Sequence, residues 1–194
     1  MLRIAAGDAA AFAELFRRRR GDVYRFALHM TGSPASAEDI AQDVFITVMR
    51  DAGRFEPTRG GVPAWLCGIA RNFIRRKFER DRGLQALSLD DTGPDPEIPP
   101  VIEDPLGDLT RAERIDILKR AITSLPLRYR EVVVLCDLQE VSYADAALTL
   151  GCAIGTVRSR LHRGRALLAA KVAAAEARQP MRRVAGEPGR SCFA

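Results

Sequence analysis

The sequence lacks several features that would place it in a common class of protein. No apolar run is long enough to span a membrane and no signal peptide opens the chain, so we expect a cytoplasmic protein without membrane insertion. The four cysteines are scattered, no Cys-x-x-Cys pair occurs, and the two histidines are not in zinc-ligand spacing. We therefore expect no metal site and free, mostly buried thiols, with redox sensing as the minor alternative.

Catalytic motifs are missing as well. The chain has no phosphate-binding loop, no metal-ligand cluster and no nucleophile–base pair that can be argued from sequence. We therefore expect no enzymatic activity, no cofactor and no small-molecule substrate. What the sequence does have is positive charge: its 194 residues carry a formal net charge of +5, which fits a polyanionic partner.

Residues 142–168 predict a helix-turn-helix. Ser142 followed three residues later by Asp145 is a capping-box pattern, and Gly151 supplies the left-handed residue that ends the first helix. We expect the turn at residues 152–155 and the second helix from Thr156 to Leu168. Its predicted buried stripe consists of Val157, Leu161, Gly164 and Leu168.

The opposite face of this second helix is basic and polar. Arginine can pair bidentately with guanine and serine can bond several bases, so the face suits a DNA major groove. The alternative is a solvated basic helix within a bundle. The outward residues are Arg158, Ser159, His162 and Arg163, flanked by Arg160 and Arg165.

The first third of the chain predicts two helices. The first begins near Asp8, after a loose start, and Gly21 is a candidate interruption; Ser36 is the predicted cap of the second, which spans residues 37–51. The second helix has apolar residues on both sides, so it indicates either a protein-partner surface or burial on two sides. Its inward stripe is Ile40, Val44, Phe45 and Val48, and the other side carries Glu38, Asp39, Gln42, Ile46 and Met49.

A loop rich in Gly and Arg, residues 53–61, precedes a third helix that is expected from Pro63 to about Arg82. One side of this helix is apolar, including Trp65, and the other is basic with an asparagine. A flexible basic loop beside such a face predicts a surface for a nucleic-acid strand, with a solvated helix face as the alternative. The basic side is Arg71, Asn72, Arg75, Arg76, Lys77 and Arg80.

Residues 83–108 contain no Lys or Arg and are rich in Asp, Pro and Gly. They predict an unstructured acidic linker, residues 84–108, between an N-terminal domain (1–83) and a four-helix C-terminal domain (109–178), followed by a disordered tail (179–194). The fold class is therefore all-α, with two small helical domains. In the C-terminal domain we expect a helix over 110–124 and a helix from Pro126 to about Leu138. The inward residues of the 110–124 helix are predicted to be Ile115, Leu118, Ala121 and Ile122.

Four segments in this order resemble an extracytoplasmic-function sigma factor, the minimal two-domain class of bacterial promoter-specificity subunits. They are AEDIAQDVFITVMR from Ala37, PAWLCGIARNFIRRKFER from Pro63, LPLRYREVVVLCDLQEVSYADAA from Leu125 and GTVRSRLHRGRALL from Gly155. The resemblance implies a region 2 that binds the β′ clamp helices of core RNA polymerase and melts the −10 element. It also implies a region 4 that reads the −35 element of promoter DNA and touches the β flap, and an anti-sigma factor as a further partner.

The resemblance also implies roles for individual residues. The candidate polymerase-binding residues are Asp39, Gln42, Asp43, Ile46 and Met49. The candidate −10 residues are Arg54, Arg59, Gly60, Gly61, Arg71, Asn72, Arg75 and Arg76, whereas Trp65 lies in an apolar stripe that favours a core role. The candidate −35 residues are Thr156, Arg158, Ser159, Arg160, His162, Arg163 and Arg165, with Arg160 and Arg165 expected on phosphates.

Two alternative functions stay open. A helix-turn-helix regulator that binds operators as a dimer would need a sensor or dimerisation domain, whereas the first domain has a basic, strand-binding composition. A sigma mimic that sequesters an anti-sigma factor would not need the arginines at residues 158 and 163.

Overall fold

A computed structural model describes residues 1–81, 96–98 and 110–177, and every regular element within these ranges is helical. The helices are α1 (Leu2–Ala5), α2 (Ala9–Thr31), α3 (Pro34–Asp51), α4 (Val62–Asp81), α5 (Arg111–Thr123), α6 (Leu127–Val133), α7 (Tyr143–Leu150) and α8 (Ile154–Ala177). The predicted linker lies outside the described residues apart from 96–98, and the predicted tail lies wholly outside them.

Helices α1 to α4 form an N-terminal helical unit in which α2, α3 and α4 pack on one another. The side chains of Phe26, Met30 and Val44 are fully buried between them, and each contributes about 1.5–3 kcal/mol by leaving water. The start of the chain is not loose, because α1 places Ile4 in a buried position at 7 % exposure. Two short 3₁₀ turns, Ala52–Arg54 and Pro57–Arg59, form the loop between α3 and α4.

Two expectations about helix boundaries in this unit are wrong. Helix α2 begins after the cap Asp8, as predicted, but it passes through Gly21 without interruption. Helix α3 is capped by Ser33 rather than Ser36, because Pro34 at its first position has the fixed φ that a helix start requires. Ser36 is buried inside the first turn, where its hydroxyl lies 3.1 Å from that of Ser33.

Helices α5 to α8, with a π-helical turn at Val134–Leu138 after α6, form a C-terminal helical unit. Its core includes Tyr129, Leu135 and Leu161, all at most 2 % exposed. The predicted register of α5 is partly wrong. Ala121 and Ile122 are buried, but the third core residue of the helix is Ile117, and Ile115 and Leu118 are 42 % and 39 % exposed. Helix α5 packs through the edge that carries Ile117 and Ala121, which leaves the neighbouring edge open.

The helix-turn-helix has the predicted layout with a longer second helix. Ser142 caps α7 by accepting from the Asp145 amide at 3.1 Å, and Gly151 ends it at φ 67°. Helix α8 begins at Ile154, two residues before the predicted start, and continues to Ala177. Val157, Leu161 and Gly164 are buried as expected, whereas Leu167 is buried in preference to the half-buried Leu168.

The two helical units also pack against each other. Helix α4 contacts α7, and α2 contacts both α5 and the π-helical turn. At the α4–α7 contact the Thr149 hydroxyl lies 3.3 Å from the carbonyl oxygen of Ala64 and 2.9 Å from that of Asp145 in its own helix. Buried residues of both units belong to one continuous apolar cluster. The sequence did not predict this contact between the units.

Candidate nucleic-acid and protein-partner surfaces

The outward face of α8 is presented as the periodicity predicted. Arg158, Ser159, His162 and Arg163 are exposed, and Thr156 and Arg160 at its edges are half-buried. The Ser159 hydroxyl donates to the Thr156 carbonyl at 3.1 Å, so its rotamer is held by its own helix. The face is therefore a compact exposed cluster of positive and polar groups on a rigid element. The base-reading roles stay predictions.

Arg165 lies at the flank of this face and is held by a bidentate ion pair. Its Nε and Nη2 atoms donate to the two carboxylate oxygens of Asp137 at 3.0 and 2.5 Å. The hydrogen bonds that Arg165 donates to the Asp137 carboxylate raise the pKa of Arg165 above its ordinary value, so the guanidinium stays charged at every physiological pH. A DNA phosphate that bound Arg165 would compete with this carboxylate.

The loop between α3 and α4 carries several of the predicted −10 residues. Arg54, Arg59 and Gly61 are exposed, and Arg59 lies 3.7 Å from the Glu56 carboxylate. Gly60 is half-buried with φ 121°, where L side chains are strained, and a Cβ atom there would lie 2.9 Å from a carboxylate oxygen of Asp145. This glycine therefore permits the loop to rest directly against α7.

The basic side of α4 is only partly open. Asn72 and Arg76 are exposed and Arg75 is half-buried, as a strand-binding face requires. Arg71 is not on the open face in this structure, because its guanidinium turns toward α6 and pairs with Glu131. The prediction that Arg71 contacts the −10 element therefore depends on a change from this arrangement.

Sequence reasoning missed Glu131, although a signal was present. Glu131 is a carboxylate four residues after Leu127 and four before Leu135, and valines follow it at positions 132–134. A charged residue in an apolar stripe is expected to have a specific partner, because an unpaired charge is costly to bury. The partner, Arg71, lies 60 residues earlier and could not be identified from spacing.

Trp65 contributes to packing. It is half-buried, and its ring meets that of Phe55 edge-on, with centroids 5.5 Å apart and an interplanar angle of 69°. This geometry is favourable for an aromatic pair. The expectation of a packing role for Trp65 agrees with its position between α4 and the loop.

Helix α3 presents the predicted protein-partner surface. The residues Asp39, Gln42 and Asp43 are exposed, and Ile46 and Met49 are 48 % and 55 % exposed. The alternative that α3 is buried on two sides is therefore wrong for this structure. Two large apolar side chains among carboxylates and an amide form a patch of the kind that protein partners cover.

Comparisons with known proteins assign both units. Residues 15–83 match the family model Sigma-70 region 2, and residues 115–168 match Sigma-70, region 4. The chain is 34 % identical over 165 residues to the ECF RNA polymerase sigma factor SigM of Mycobacterium tuberculosis, covering 84 % of this chain and 78 % of SigM. This chain belongs to the extracytoplasmic-function (ECF) sigma factors.

A second sigma factor is more similar in sequence but longer. SigE of Mycolicibacterium smegmatis is 37 % identical over 166 residues, and the alignment covers 83 % of this chain and 62 % of SigE. Among solved structures, the sigma factor RpoE of Bartonella quintana in complex with the anti-sigma factor NepR matches with a TM-score of 0.63 at 28 % identity, covering 84 % of this chain and 96 % of that one. CnrH in complex with the cytosolic domain of CnrY shares the fold, with a TM-score of 0.64 at 23 % identity and coverage of 92 % and 96 %.

Family membership places the surfaces described above. Helices α3 and α4 and their loop lie in region 2, and α6, α7 and the outward face of α8 lie in region 4. The Arg71–Glu131 pair therefore joins region 2 to region 4. Sigma factors are not enzymes, which agrees with the absence of catalytic motifs from the sequence.

Three cysteines of this sigma factor are free thiols: Cys67, Cys136 and Cys152. Burial raises the pKa of Cys67 to about 12, and burial together with the nearby Asp137 carboxylate raises the pKa of Cys136 to about 11. In residues 1–81, 96–98 and 110–177, no three His, Cys, Asp or Glu side chains group as a metal site would. No helix in those ranges is long and apolar enough to cross a membrane.

Proposed function

We propose that this chain is an alternative sigma factor that binds core RNA polymerase and directs promoter-specific transcription initiation. The observation that carries the proposal is the match of both helical units, in order, to regions 2 and 4 of the sigma-70 family. The protein acts where polymerase and DNA are, so its location is the cytoplasm. The working parts are the region 2 domain (1–83) and the region 4 domain (109–178), joined by the acidic segment 84–108.

Region 4 reads the −35 element through the outward face of α8. A rigid helix with exposed Arg158, Ser159 and Arg163 is suited to enter the major groove of duplex DNA, where arginine and serine can bond base edges. Arg160 and Arg165 at the flanks bind phosphates, which fix the position of the helix without reading sequence. Thr156 and His162 complete this face, and His162 tunes the preferred sequence.

Region 2 opens and holds the −10 element. Removing one base from the stack costs a few kcal/mol, and a fitted pocket with basic surroundings offsets that cost. The loop with Arg54, Arg59, Gly60 and Gly61 takes the unstacked base. The basic side of α4, with Arg71, Asn72, Arg75 and Arg76, follows the strand. No hydrolysis or cofactor is needed for this step, because binding energy drives the opening.

Helix α3 binds the β′ clamp helices of core polymerase through Asp39, Gln42, Asp43, Ile46 and Met49. The exposed apolar pair gives buried contact area, and the surrounding polar groups give orientation. Region 4 contacts the β flap. An anti-sigma factor is the expected regulator, since RpoE of Bartonella quintana is similar to this chain and was solved in complex with the anti-sigma factor NepR.

The deciding experiment is run-off transcription with purified core polymerase on a library of promoter fragments. We expect defined transcripts when this protein is added and none from core polymerase alone. A helix-turn-helix regulator would alter transcription by a housekeeping holoenzyme but would not start transcription with core polymerase. A sigma mimic that sequesters an anti-sigma factor would do neither, so absence of any transcript would refute the proposal.

A further inference from the structure

The contact between region 2 and region 4 contains a buried ion pair. The Nε atom of Arg71 donates to Oε1 of Glu131 at 2.6 Å, and Nη2 lies 3.4 Å from Oε2. The two side chains are only 16 % and 7 % exposed. Glu131 comes from α6 and Arg71 from α4, so the pair exists only while the two regions are in contact.

Two further polar contacts cross the same boundary. Arg130, next to Glu131, donates from Nη1 to the Met30 carbonyl at 2.6 Å. That carbonyl is in the last turn of α2, where helix carbonyls have no partner within the helix. The Thr149 hydroxyl of α7 lies 3.3 Å from the Ala64 carbonyl of α4, a longer contact than the 2.9 Å that separates it from the Asp145 carbonyl of its own helix. The boundary is therefore held by specific polar contacts as well as by apolar packing.

This contact covers part of the predicted −10 surface and leaves the other predicted surfaces open. Arg71 is occupied by Glu131, and Gly60 of the loop lies against Asp145 of α7. The outward face of α8 and the partner surface of α3 remain exposed. The arrangement is therefore selective: it occupies Arg71 and covers Gly60 of region 2, and it leaves the partner surface of α3 exposed.

We propose that the free protein is held in a closed state by a latch, defined as the Arg71–Glu131 pair, in which the Glu131 carboxylate takes the place of a strand phosphate on Arg71. Carboxylate and phosphate are both bidentate partners of arginine, so they compete for one guanidinium. The proposal rests on the proposed −10 role of region 2. Its consequence is that the protein must open before strand binding, and the apparent affinity is reduced by the fraction that is open.

A reversible cross-link tests whether the closed state exists. A Cβ built on Gly32, the residue after α2, would lie 3.7 Å from Cβ of Thr123 of α5, which is within the range of disulfide Cβ–Cβ distances. In the double variant Gly32→Cys/Thr123→Cys, mild oxidation should produce a disulfide between residues 32 and 123, identified by peptide mass spectrometry. The single variant Gly32→Cys controls for strain, because residue 32 has φ +72°.

The cross-linked protein should bind a strand more weakly than the reduced protein. The probe is a fluorescent pool of random 20-nucleotide single-stranded DNA, measured by anisotropy. We expect the cross-linked protein to bind this DNA about tenfold more weakly than the reduced protein, because it lacks the open population. Reductant should restore the binding. Failure of the disulfide to form, or equal binding by the oxidised and reduced double variant, would overturn the latch.

The variant Glu131→Gln tests the ion pair itself. It keeps the shape of the side chain but leaves Arg71 without its counter-charge, which disfavours the closed state. We expect strand affinity to rise about tenfold and the 32–123 cross-link to form correspondingly more slowly. Glu176→Gln makes the same charge change at an exposed position of α8 and should do neither. Equal effects of the two variants would overturn the role of Glu131, and circular dichroism checks that both fold.

These results separate the latch from the proposed function. If the protein drives transcription with core polymerase but no cross-link forms, the sigma function stands and the latch is wrong. If the cross-link forms and controls strand binding but no transcript appears, the closed state stands and the sigma function is wrong.

Discussion

Gly164 of α8 lies directly against Tyr129 of α6. A Cβ at residue 164 would be 3.3 Å from the Tyr129 carbonyl oxygen, 3.4 Å from the Tyr129 Cβ and 2.8 Å from Cγ2 of Val133. Helix α8 can therefore approach α6 closely only at a residue without a side chain. Since α8 carries the outward face with Arg158 and Arg163, this crossing sets the angle at which region 4 presents that face.

We expect Gly164→Ala to destabilise region 4. Overpacking a core costs typically about 1–3 kcal/mol, which outweighs the gain of up to about 1 kcal/mol from replacing glycine by alanine in a helix. The measurement is urea unfolding followed by circular dichroism. Gly155→Ala in the same helix is the control, because nothing lies within 4 Å of its Cβ position, and it should be neutral or stabilising. Equal stability of the two variants would show that α8 shifts freely on α6.

Local features of the fold were predictable because their causes are local. Asp8 and Ser142 cap their helices, Gly151 adopts the left-handed conformation, and Val157 and Leu161 are buried. Each depends on residues within about one helical turn, where capping geometry and helical periodicity decide the outcome. The exposed pair on α3, Ile46 and Met49, followed from periodicity in the same way.

The features that could not be predicted depend on distant partners. Ile115 and Ile117 of α5 are equally apolar, and only contact with α8 and α2 decides which is buried. The orientation of Arg71 was predicted from its basic neighbours, but Glu131, 60 residues away, determines it. The candidate site was therefore predictable as a set of exposed faces, whereas the contact between the two regions was not.

The partner surface of α3 can be tested by charge reversal. Asp43→Arg and Gln42→Ala should each reduce core-polymerase binding by about fivefold or more, because losing an interface contact that carries binding energy costs more than about 1 kcal/mol. Both residues are exposed, so the fold should remain intact. Affinity for core polymerase is measured by titration of a fluorescent derivative. The control Asp81→Arg makes the same charge reversal at the exposed end of α4. If Asp43→Arg binds core polymerase as tightly as this control, α3 is not the polymerase-binding helix.

Cys67 and Cys136 should be unreactive at neutral pH, unlike the cysteine of a redox sensor. The thiolate is the reactive form, and the pKa values of Cys67 and Cys136, about 12 and about 11, leave almost none of it at pH 7.5. Alkylation by iodoacetamide, mapped by peptide mass spectrometry, should be slow at both sites and should accelerate as the pH rises toward these values. Protein unfolded in guanidinium is the control and should react quickly. Fast reaction of native Cys67 at neutral pH would contradict this expectation.

The −10 surface should act in strand opening rather than in initial binding. Asn72 is exposed on α4, Arg54 and Arg59 are exposed on the loop that precedes α4, and none of these residues is on α8, the helix proposed to enter the −35 element. Asn72→Ala and Arg54→Ala should therefore lower permanganate reactivity of unpaired thymines in the holoenzyme–promoter complex. Closed-complex formation at low temperature serves as the control and should be little changed. Normal thymine reactivity in both variants would exclude them from strand opening.

The proposed base-reading and phosphate-binding residues of α8 should differ in how their loss changes DNA recognition. Arg158 and Arg163 are exposed on α8, so they are available to enter the groove, and losing a bidentate arginine–guanine pair costs about 1–3 kcal/mol of discrimination. Arg158→Ala and Arg163→Ala should each relax the preference at one base pair. Arg165 is paired with Asp137 and is proposed to bind a phosphate, so Arg165→Ala should weaken binding to all sequences alike and reduce the salt slope by about one. The measurement is holoenzyme binding to a library randomised across the −35 element at two salt concentrations.

Asp137→Asn is the matched variant, because it releases Arg165 from its carboxylate and should strengthen binding without changing the preferred sequence. If Arg165→Ala changes the preferred sequence while Arg158→Ala and Arg163→Ala leave it intact, α8 enters the groove with a different rotation about its axis.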